Sequence, residues 1–431
     1  MNARTWSKVT TTITTSHFRQ QFLRVVSKSK FTSIAKPLIP ILHYELPSCA
    51  RPKPLLRYYS NVPITTTNRN IPKFSPTSQQ QKYVVHDNDA TQLYKPIAFY
   101  SLIPISQERV VILRDMIESR LSELGVVGRI YLAPEEGIGG INSQMAVPLS
   151  QMTLLKKFFN DLHDDFGAIS FTEGIEELKE PCFRKLRVMI KKNLVGVRKS
   201  ISASDLIDPS NHHLDPASWH KQLNEKADKA FLVDMRNHYE YDMGHFEHAA
   251  KLDVDTFREG LDELQSMIKD QPDKTLYMYC TGGIRCDVTA SYLRKKGIND
   301  FKMLKGGITA YGNYIKSLCN NGNDDDDENN DTTIRSLFRG KNFSFDDRRG
   351  ERITDDVLTQ CYQCGKSCDV LHNCANTRCH LLFVQCESCR QAMNKTCSDT
   401  CHDVLLGKEA WDVDYDYHRQ IRPMDASSLS S

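Results

Sequence analysis

In 431 residues there is no run of about 18 consecutive apolar side chains, which argues against a membrane-spanning helix. No Gly-x-Gly-x-x-Gly fingerprint opens a helical pattern, so a nicotinamide or flavin site of the dinucleotide-binding type is unsupported. Acidic residues are almost missing from the first 60 positions, where Glu45 stands alone against ten Lys and Arg. The same stretch lacks the apolar core of a secretory signal. Hydrophobic residues are 40% and charged residues 26%, a balance that excludes a wholly disordered chain. At about 100–200 residues per domain, the length suggests two to four domains.

The first 60 residues are basic and rich in Ser and Thr. Between His17 and Phe31, Phe18, Phe22, Val25 and Val26 share a helical face, with Arg19, Arg24, Lys28 and Lys30 among them. Basic, acid-poor and amphipathic is the composition of an organellar transit peptide. Residues 1–60 are therefore expected to address the chain to the mitochondrial matrix, with the plastid as the minor alternative. Arg57-Tyr58-Tyr59-Ser60 resembles a matrix-protease cleavage pattern, cut after Tyr59. A basic tail that binds an acidic partner is the competing reading. Past residue 60 the chain holds 46 basic and 53 acidic side chains, a net charge of −7. Residues 61–92 are polar, with Pro, Gln and Asn, and read as a disordered linker.

Three regions follow, and the overall class is α/β. In 93–205, strands are expected at Ile97–Ile105, Val126–Ala133, Ile141–Val147 and Leu186–Ile190. Helices are expected at Val110–Leu124 and Ser150–Leu162. The order β-α-β-β-α-β predicts a ferredoxin-like α+β sandwich. In 206–319, strands at Phe231–Asp234, Thr275–Tyr279 and Phe301–Leu304 alternate with helices at Phe257–Ile268, Val288–Lys296 and Ile308–Leu318. That alternation predicts an open parallel sheet with helices on both faces. Residues 320–335 carry the run Asp324-Asp325-Asp326-Asp327-Glu328, whose mutual repulsion predicts a disordered acidic linker. A cysteine-rich module at 336–405 and a tail at 406–431 complete the chain.

The chemistry centres on Cys280-Thr281-Gly282-Gly283-Ile284-Arg285-Cys286. A cysteine at the carboxyl end of a parallel strand lies where open α/β sheets bind ligands. The glycines let the backbone curl so that N–H groups of Thr281, Gly282, Gly283 and Ile284 can form an anion cradle. The N-terminus of the following helix and the Arg285 charge add to it. All of these favour a thiolate or a persulfide anion over an inert buried thiol. Asp234 and Arg236 read as a supporting ion pair. Cys286 is expected to pack in the first helical turn, with a resolving thiol as the alternative. His213-Leu214-Asp215 has the spacing of an iron-binding facial triad, but it sits in a polar segment beside Pro216 and is set aside.

These residues carry a resemblance. Val233-Asp234-Met235-Arg236-Asn237-His238-Tyr239-Glu240-Tyr241-Asp242-Met243-Gly244-His245, the Cys280–Arg285 loop and Leu304-Lys305-Gly306-Gly307-Ile308 resemble, in order, the three signatures of the rhodanese domain. One departure is His248, where rhodaneses usually carry Gly, and a turn is expected to change there. With the N-terminal sandwich bearing Glu136-Gly137-Ile138 and the cysteine-rich tail, residues 93–405 resemble the rhodanese-like tRNA uridine hydroxylases. Gly139 stands where that family has Asn. The resemblance implies oxygen-dependent hydroxylation at C5 of the wobble uridine, with tRNA as partner and Cys280 as the catalytic residue. It also makes a sulfur- or oxygen-donor protein a candidate partner. The residues do not show what activates oxygen. The loop alone also suits a sulfurtransferase that carries a persulfide on Cys280, but such an enzyme needs neither flanking region.

In the tail, Cys361, Cys364, Cys368, Cys374, Cys379, Cys386, Cys389, Cys397 and Cys401 crowd into 41 positions. Cys361-x-x-Cys364 and Cys386-x-x-Cys389, 21 residues apart, have zinc-knuckle spacing. A structural zinc is the expected cofactor, with an iron–sulfur cluster or redox-active thiols as alternatives. Two four-ligand sites would leave one cysteine spare, and His380 and His402 could also serve. Near Phe183, the residues Arg184, Lys185, Arg187, Lys191, Lys192, Arg198 and Lys199 form a basic stripe with no acid from 181 to 204. It is a candidate tRNA phosphate contact, or else a charged sheet edge that blocks pairing.

Overall fold

The computed structural model describes residues 92–197, 201, 205–206, 210–321 and 335–410. The expected transit peptide, nearly all of the two linkers, Arg198, Lys199 and most of the C-terminal tail lie outside the described residues. No helix among the described residues is long and apolar enough to cross a membrane.

The N-terminal domain consists of β1 (Tyr94–Ser101), α1 (Gln107–Glu123), β2 (Val127–Ala133), β3 (Gly140–Pro148), α2 (Met152–Asp161), α3 (His163–Phe166), β4 (Thr172–Glu173) and β5 (Leu186–Ile190). Helix α1 starts at Ser106, whose hydroxyl accepts the Arg109 N–H. It buries Val110, Leu113, Ile117 and Leu121 completely. Each such side chain contributes about 1.5–3 kcal/mol. Leu155 and Phe159 of α2 join the same core, where Phe159 meets Phe99 edge-on at 4.6 Å.

The sheet order is β4-β1-β3-β2-β5. This corrects the strand assignment while keeping the ferredoxin-like order. The strand that closes the β-α-β-β-α-β unit beside β1 is the two-residue β4, antiparallel with Ile97 opposite Glu173. Two residues carry no alternation to read. Leu186–Ile190 is a fifth strand at the far edge, parallel to β2.

The second domain consists of β6 (His213–Leu214), α4 (Pro216–Glu225), β7 (Ala230–Asp234), α5 (His238–Met243), β8 (Gly244–Phe246), β9 (Ala250–Lys251), α6 (Phe257–Lys269), β10 (Thr275–Tyr279), α7 (Ile284–Lys295), β11 (Phe301–Leu304) and α8 (Gly307–Asn321). Its sheet, β6-β11-β10-β7-β9, is parallel throughout. Leu261, Leu264, Val288 and Leu293 of α6 and α7 cover one face. Trp219 of α4 and Ile308, Tyr311 and Ile315 of α8 cover the other.

His248, in the turn between β8 and β9, has φ 63° and an exposed side chain. This is the left-handed region that glycine enters without penalty, so the departure noted at this position falls in a turn, as expected. His248→Gly should raise stability by about 1 kcal/mol, measured as a shifted midpoint in chemical denaturation. An unchanged or lower midpoint would mean the turn carries no strain.

The third region begins as an extension of the second domain. β12 (Phe338–Asn342) pairs antiparallel with β8 and with β13 (Glu351–Arg352). Phe338 packs on Phe246 at 5.4 Å. The cysteine-rich part then folds around the hairpin β14 (Leu371–Asn373) and β15 (Leu382–Val384), followed by α9 (Glu387–Ala392) and α10 (Asp399–Leu405).

Candidate active site at the Cys280 loop

Strand β10 ends at Tyr279, and Cys280 follows at the carboxyl edge of the parallel sheet. Gly283, with φ 111°, turns the chain into α7 and donates its N–H to Cys280 Sγ at 3.1 Å. Gly307 fixes the loop from below. The Ile308 N–H donates to the Cys280 carbonyl at 3.0 Å, and the Thr309 N–H to the Thr281 carbonyl at 3.2 Å. A Cβ on Gly307 would lie 2.5 Å from both carbonyl oxygens, and φ is 63° there. The second glycine of the closing Gly-Gly motif is therefore required by direct backbone contact.

Cys280 is 1% exposed. Burial pushes its thiol up, but the Cys286 thiol, the Arg285 charge and the N–H groups of Gly283 and Cys286 outweigh burial and hold it at about 6. Cys286 packs in the first turn of α7, as expected, and also hydrogen-bonds Cys280. Burial and the neighbouring Cys280 sulfur push Cys286 well above the usual thiol range. Only one of the pair is thus poised as a thiolate.

Arg285 is not a free cation. Its guanidinium forks onto Glu240 of α5, with Nη1 to Oε2 at 2.7 Å and Nη2 to Oε1 at 2.9 Å, and Nη2 also reaches Thr281 Oγ1 at 3.1 Å. Glu240 is fully buried. It also accepts the Asn237 N–H in a capping box that starts α5. The fork holds Arg285 beside the sulfur and offsets part of its charge. Asp234 and Arg236 form a fully buried ion pair at 2.6 Å, and Arg236 donates on to the Gly244 carbonyl. The pair ties β7 to β8 behind the loop, a structural placement.

Above Cys280 lies a cavity of about 660 Å³. All three regions line it: Tyr100 and Arg129 from the N-terminal sheet, Cys280 and Arg285 from the loop, and Asn342 and Phe343 from the end of β12. The volume lies within the range of small-ligand sites, about 300–1,000 Å³. Tyr100 crosses from β1 to donate to Asp287 Oδ2 at 2.7 Å, and His213 Nε2 meets Asp287 Oδ1 at 2.8 Å. None of Tyr100, His213, Asp287 or Glu240 carries a local signal for this site. The Asn237-x-x-Glu240 capping pattern marks a helix start but not the Arg285 contact. The His213-Leu214-Asp215 triad does not form, because Asp215 caps α4 through Ser218 while His213 turns to Asp287.

The basic stripe runs from just before β5 to just after it, and Arg184, Lys185, Arg187, Lys191 and Lys192 are exposed. Arg184 approaches Asp347 at 3.4 Å. The register sets Arg187 beside Arg129, a cavity residue. Lys191 Nζ sits 5.2 Å over the ring of Tyr131, which also lines the cavity. The stripe therefore adjoins the cavity mouth.

In the tail, Cys361, Cys364, Cys386 and Cys389 converge, as do Cys374, Cys379, Cys397 and Cys401, with all sulfurs of a group within 4.8 Å of one another. Sulfur–sulfur distances of 3.7 Å recur at Cys364–Cys386, Cys379–Cys397 and Cys397–Cys401. A disulfide requires about 2.05 Å. A tetrahedron with metal–sulfur bonds of about 2.3 Å has edges of roughly 3.8 Å. Both groups are therefore shaped to hold a tetrahedral ion. Cys368 is the spare, and neither His380 nor His402 belongs to a group. Cysteine pairs from the two groups alternate along the chain, so each group braces the other.

Comparison with known proteins follows this division. The profile of the UPF0176 acylphosphatase-like domain matches residues 94–194, that of the rhodanese-like domain residues 216–314, and that of the rhodanese C-terminal region residues 339–402. A tRNA uridine(34) hydroxylase of Pectobacterium carotovorum is 36% identical over 313 residues, covering 72% of this chain and 80% of the relative. One from an Enterobacter species is 33% identical over 311 residues, covering 71% and 81%. Among solved structures, a rhodanese-like domain protein from Staphylococcus aureus aligns with 23% of this chain and 89% of its own at 23% identity, with a TM-score of 0.20. With identity of this level across most of both chains, this protein belongs to the tRNA uridine(34) hydroxylase family.

Proposed function

We propose that the protein hydroxylates C5 of the wobble uridine of organellar tRNA, with molecular oxygen as oxidant and Cys280 as the reactive residue. The observation that carries this reading is the composite cavity. A persulfide carrier needs only the Cys280 loop, whereas here the N-terminal sheet and the β12 segment supply the walls above the sulfur. A base swung out of the anticodon stack fits a space of this size, with Tyr131 and Phe345 to lie against. A thiol held at about 6 is ionised at neutral pH and can carry oxygen, or sulfur, as a transient adduct. The basic, acid-poor leader supports delivery to the mitochondrial matrix.

Nucleoside mass spectrometry of mitochondrial tRNA from cells with and without the protein tests the reading. Loss of 5-hydroxyuridine-type nucleosides is expected. Unchanged hydroxylation with altered thiolated nucleosides would replace it with sulfur transfer, which the same loop can support.

The stripe beside the cavity supports phosphate contacts to the anticodon stem and loop. Reversing Lys191 and Lys192 together to Glu should weaken tRNA binding by about tenfold or more and lower the slope of log affinity against log salt by about 1–2. Equal affinity and slope would assign the stripe to sheet-edge protection instead.

The two cysteine groups in the tail suit structural zinc. Thiolate sulfur is a favoured zinc ligand, and four ligands leave no open position for chemistry. Zinc there would brace the module whose first strand, β12, brings Asn342 and Phe343 to the cavity.

A further inference from the structure

His213 opens the two-residue β6, which pairs with the last two residues of β11 and so lies near the carboxyl edge of the parallel sheet that Cys280 follows, and it lines the same cavity. Its partner is set by an arrangement spanning two domains. Burial, then the neighbouring Asp287 carboxylate, push the Tyr100 hydroxyl well above its usual range, so it keeps its proton and donates to Asp287 Oδ2. The other carboxylate oxygen faces His213 Nε2 at 2.8 Å. A carboxylate can only accept, so the network places a proton on Nε2. The neutral imidazole then carries its free lone pair on Nδ1. An Asp that fixes the tautomer of a His in this way is a common device for preparing a proton acceptor.

On the hydroxylase reading, from which this step follows, the C5 hydrogen of uracil must leave when oxygen is installed. We infer that His213 is the base that takes it. When C5 uses its π pair to bond the incoming oxygen, C6 is left electron-deficient; the C5–H bond then breaks, its electron pair re-forms the C5=C6 double bond, and the proton passes to Nδ1. Asp287 and Tyr100 are positioning residues: Asp287 holds the imidazole and steadies the imidazolium, and Tyr100 holds Asp287. This also gives the N-terminal domain a part in the chemistry. Tyr100 packs so closely on the loop that a Cβ on Gly283 would lie 2.7 Å from its hydroxyl.

The test uses full-length protein added to extracts of cells lacking it, with tRNA carrying either uridine or [5-²H]uridine at the wobble position. His213→Ala should slow hydroxylation by about 10²–10⁴-fold, the usual share of general-base catalysis. Loss of the C5 hydrogen then limits the rate, so the deuterium isotope effect should rise well above its wild-type value, and added imidazole should restore part of the rate. His213→Gln, which can still donate to Asp287 and keep the fold, should show the same slowing and isotope effect without rescue. Asp287→Asn should slow the reaction while leaving Cys280 present and folded. A full rate in His213→Ala, or a slow rate with an unchanged isotope effect and no rescue, overturns the inference while the hydroxylase reading stands. Wild-type protein that leaves uridine unhydroxylated overturns both.

Discussion

Cys280→Ser should remove hydroxylated uridine from the substrate tRNAs, lowering the rate by about 10³-fold or more, because the alcohol lacks an ionised form at neutral pH. The substitution changes one atom, and the loop is held by contacts to backbone atoms that it leaves in place. The Ile308 and Thr309 N–H groups still bind the carbonyls of residues 280 and 281. The folded variant should therefore bind tRNA with wild-type affinity, and this separates lost chemistry from lost structure. The pH sense is fixed by the environment. Cys280 is held at about 6, so the thiolate predominates above that value and is protonated as the pH falls through it. Alkylation of wild-type Cys280, followed by mass spectrometry, should fall off below pH 6. Full hydroxylation by Cys280→Ser would remove the residue from the mechanism, and loss of tRNA binding would make its role structural.

Metal analysis of the purified chain should find two zinc ions per molecule, and Cys397→Ser should leave about one. Cys397 is buried and has sulfur neighbours at 3.7 Å on two sides, Cys379 and Cys401. The apolar cluster around it is small: apart from cysteines its buried members are Leu381 and Phe383. Little apolar area is buried there, so on the zinc reading metal binding would supply the difference, with an apparent free energy of about 10–16 kcal/mol per structural site near pH 7. Chelation should expose the tail to protease and lower activity by weakening the β12 wall of the cavity. Fewer than one zinc per chain after gentle preparation, with the tail still protected, would refute the metal reading.

Legibility in the sequence followed the span of each interaction. The Cys280 loop was readable because its determinants lie within seven consecutive residues and its glycines answer to nearby backbone. The Cys361, Cys364, Cys386 and Cys389 group was readable because both pairs have knuckle spacing. The second group was not, since its ligands are three and four residues apart and interleave with the first. His213, Tyr100 and Asp287 were hidden for a different reason. They meet across 74 and 187 positions, and a lone polar residue at a strand end carries no periodic signal. The nearby His213-Leu214-Asp215 spacing even pointed to the wrong carboxylate. In the first domain, a two-residue strand too short to alternate shifted the expected closing strand to the opposite sheet edge.

The β12–β8 pairing has a consequence for the order of events during synthesis. The chain emerges with the N-terminal sheet first and the Cys280 loop about 180 residues later, while Asn342 and Phe343 come some 60 residues after that. Until β12 docks on β8, the cleft over the sulfur stands open on one side. A nascent or C-terminally shortened chain would therefore carry the Cys280 thiol in an unroofed site, open to small oxidants and electrophiles. Docking of the last third is what turns a vulnerable cysteine into an enclosed one, so damage at Cys280 should report unfinished chains more than aged ones.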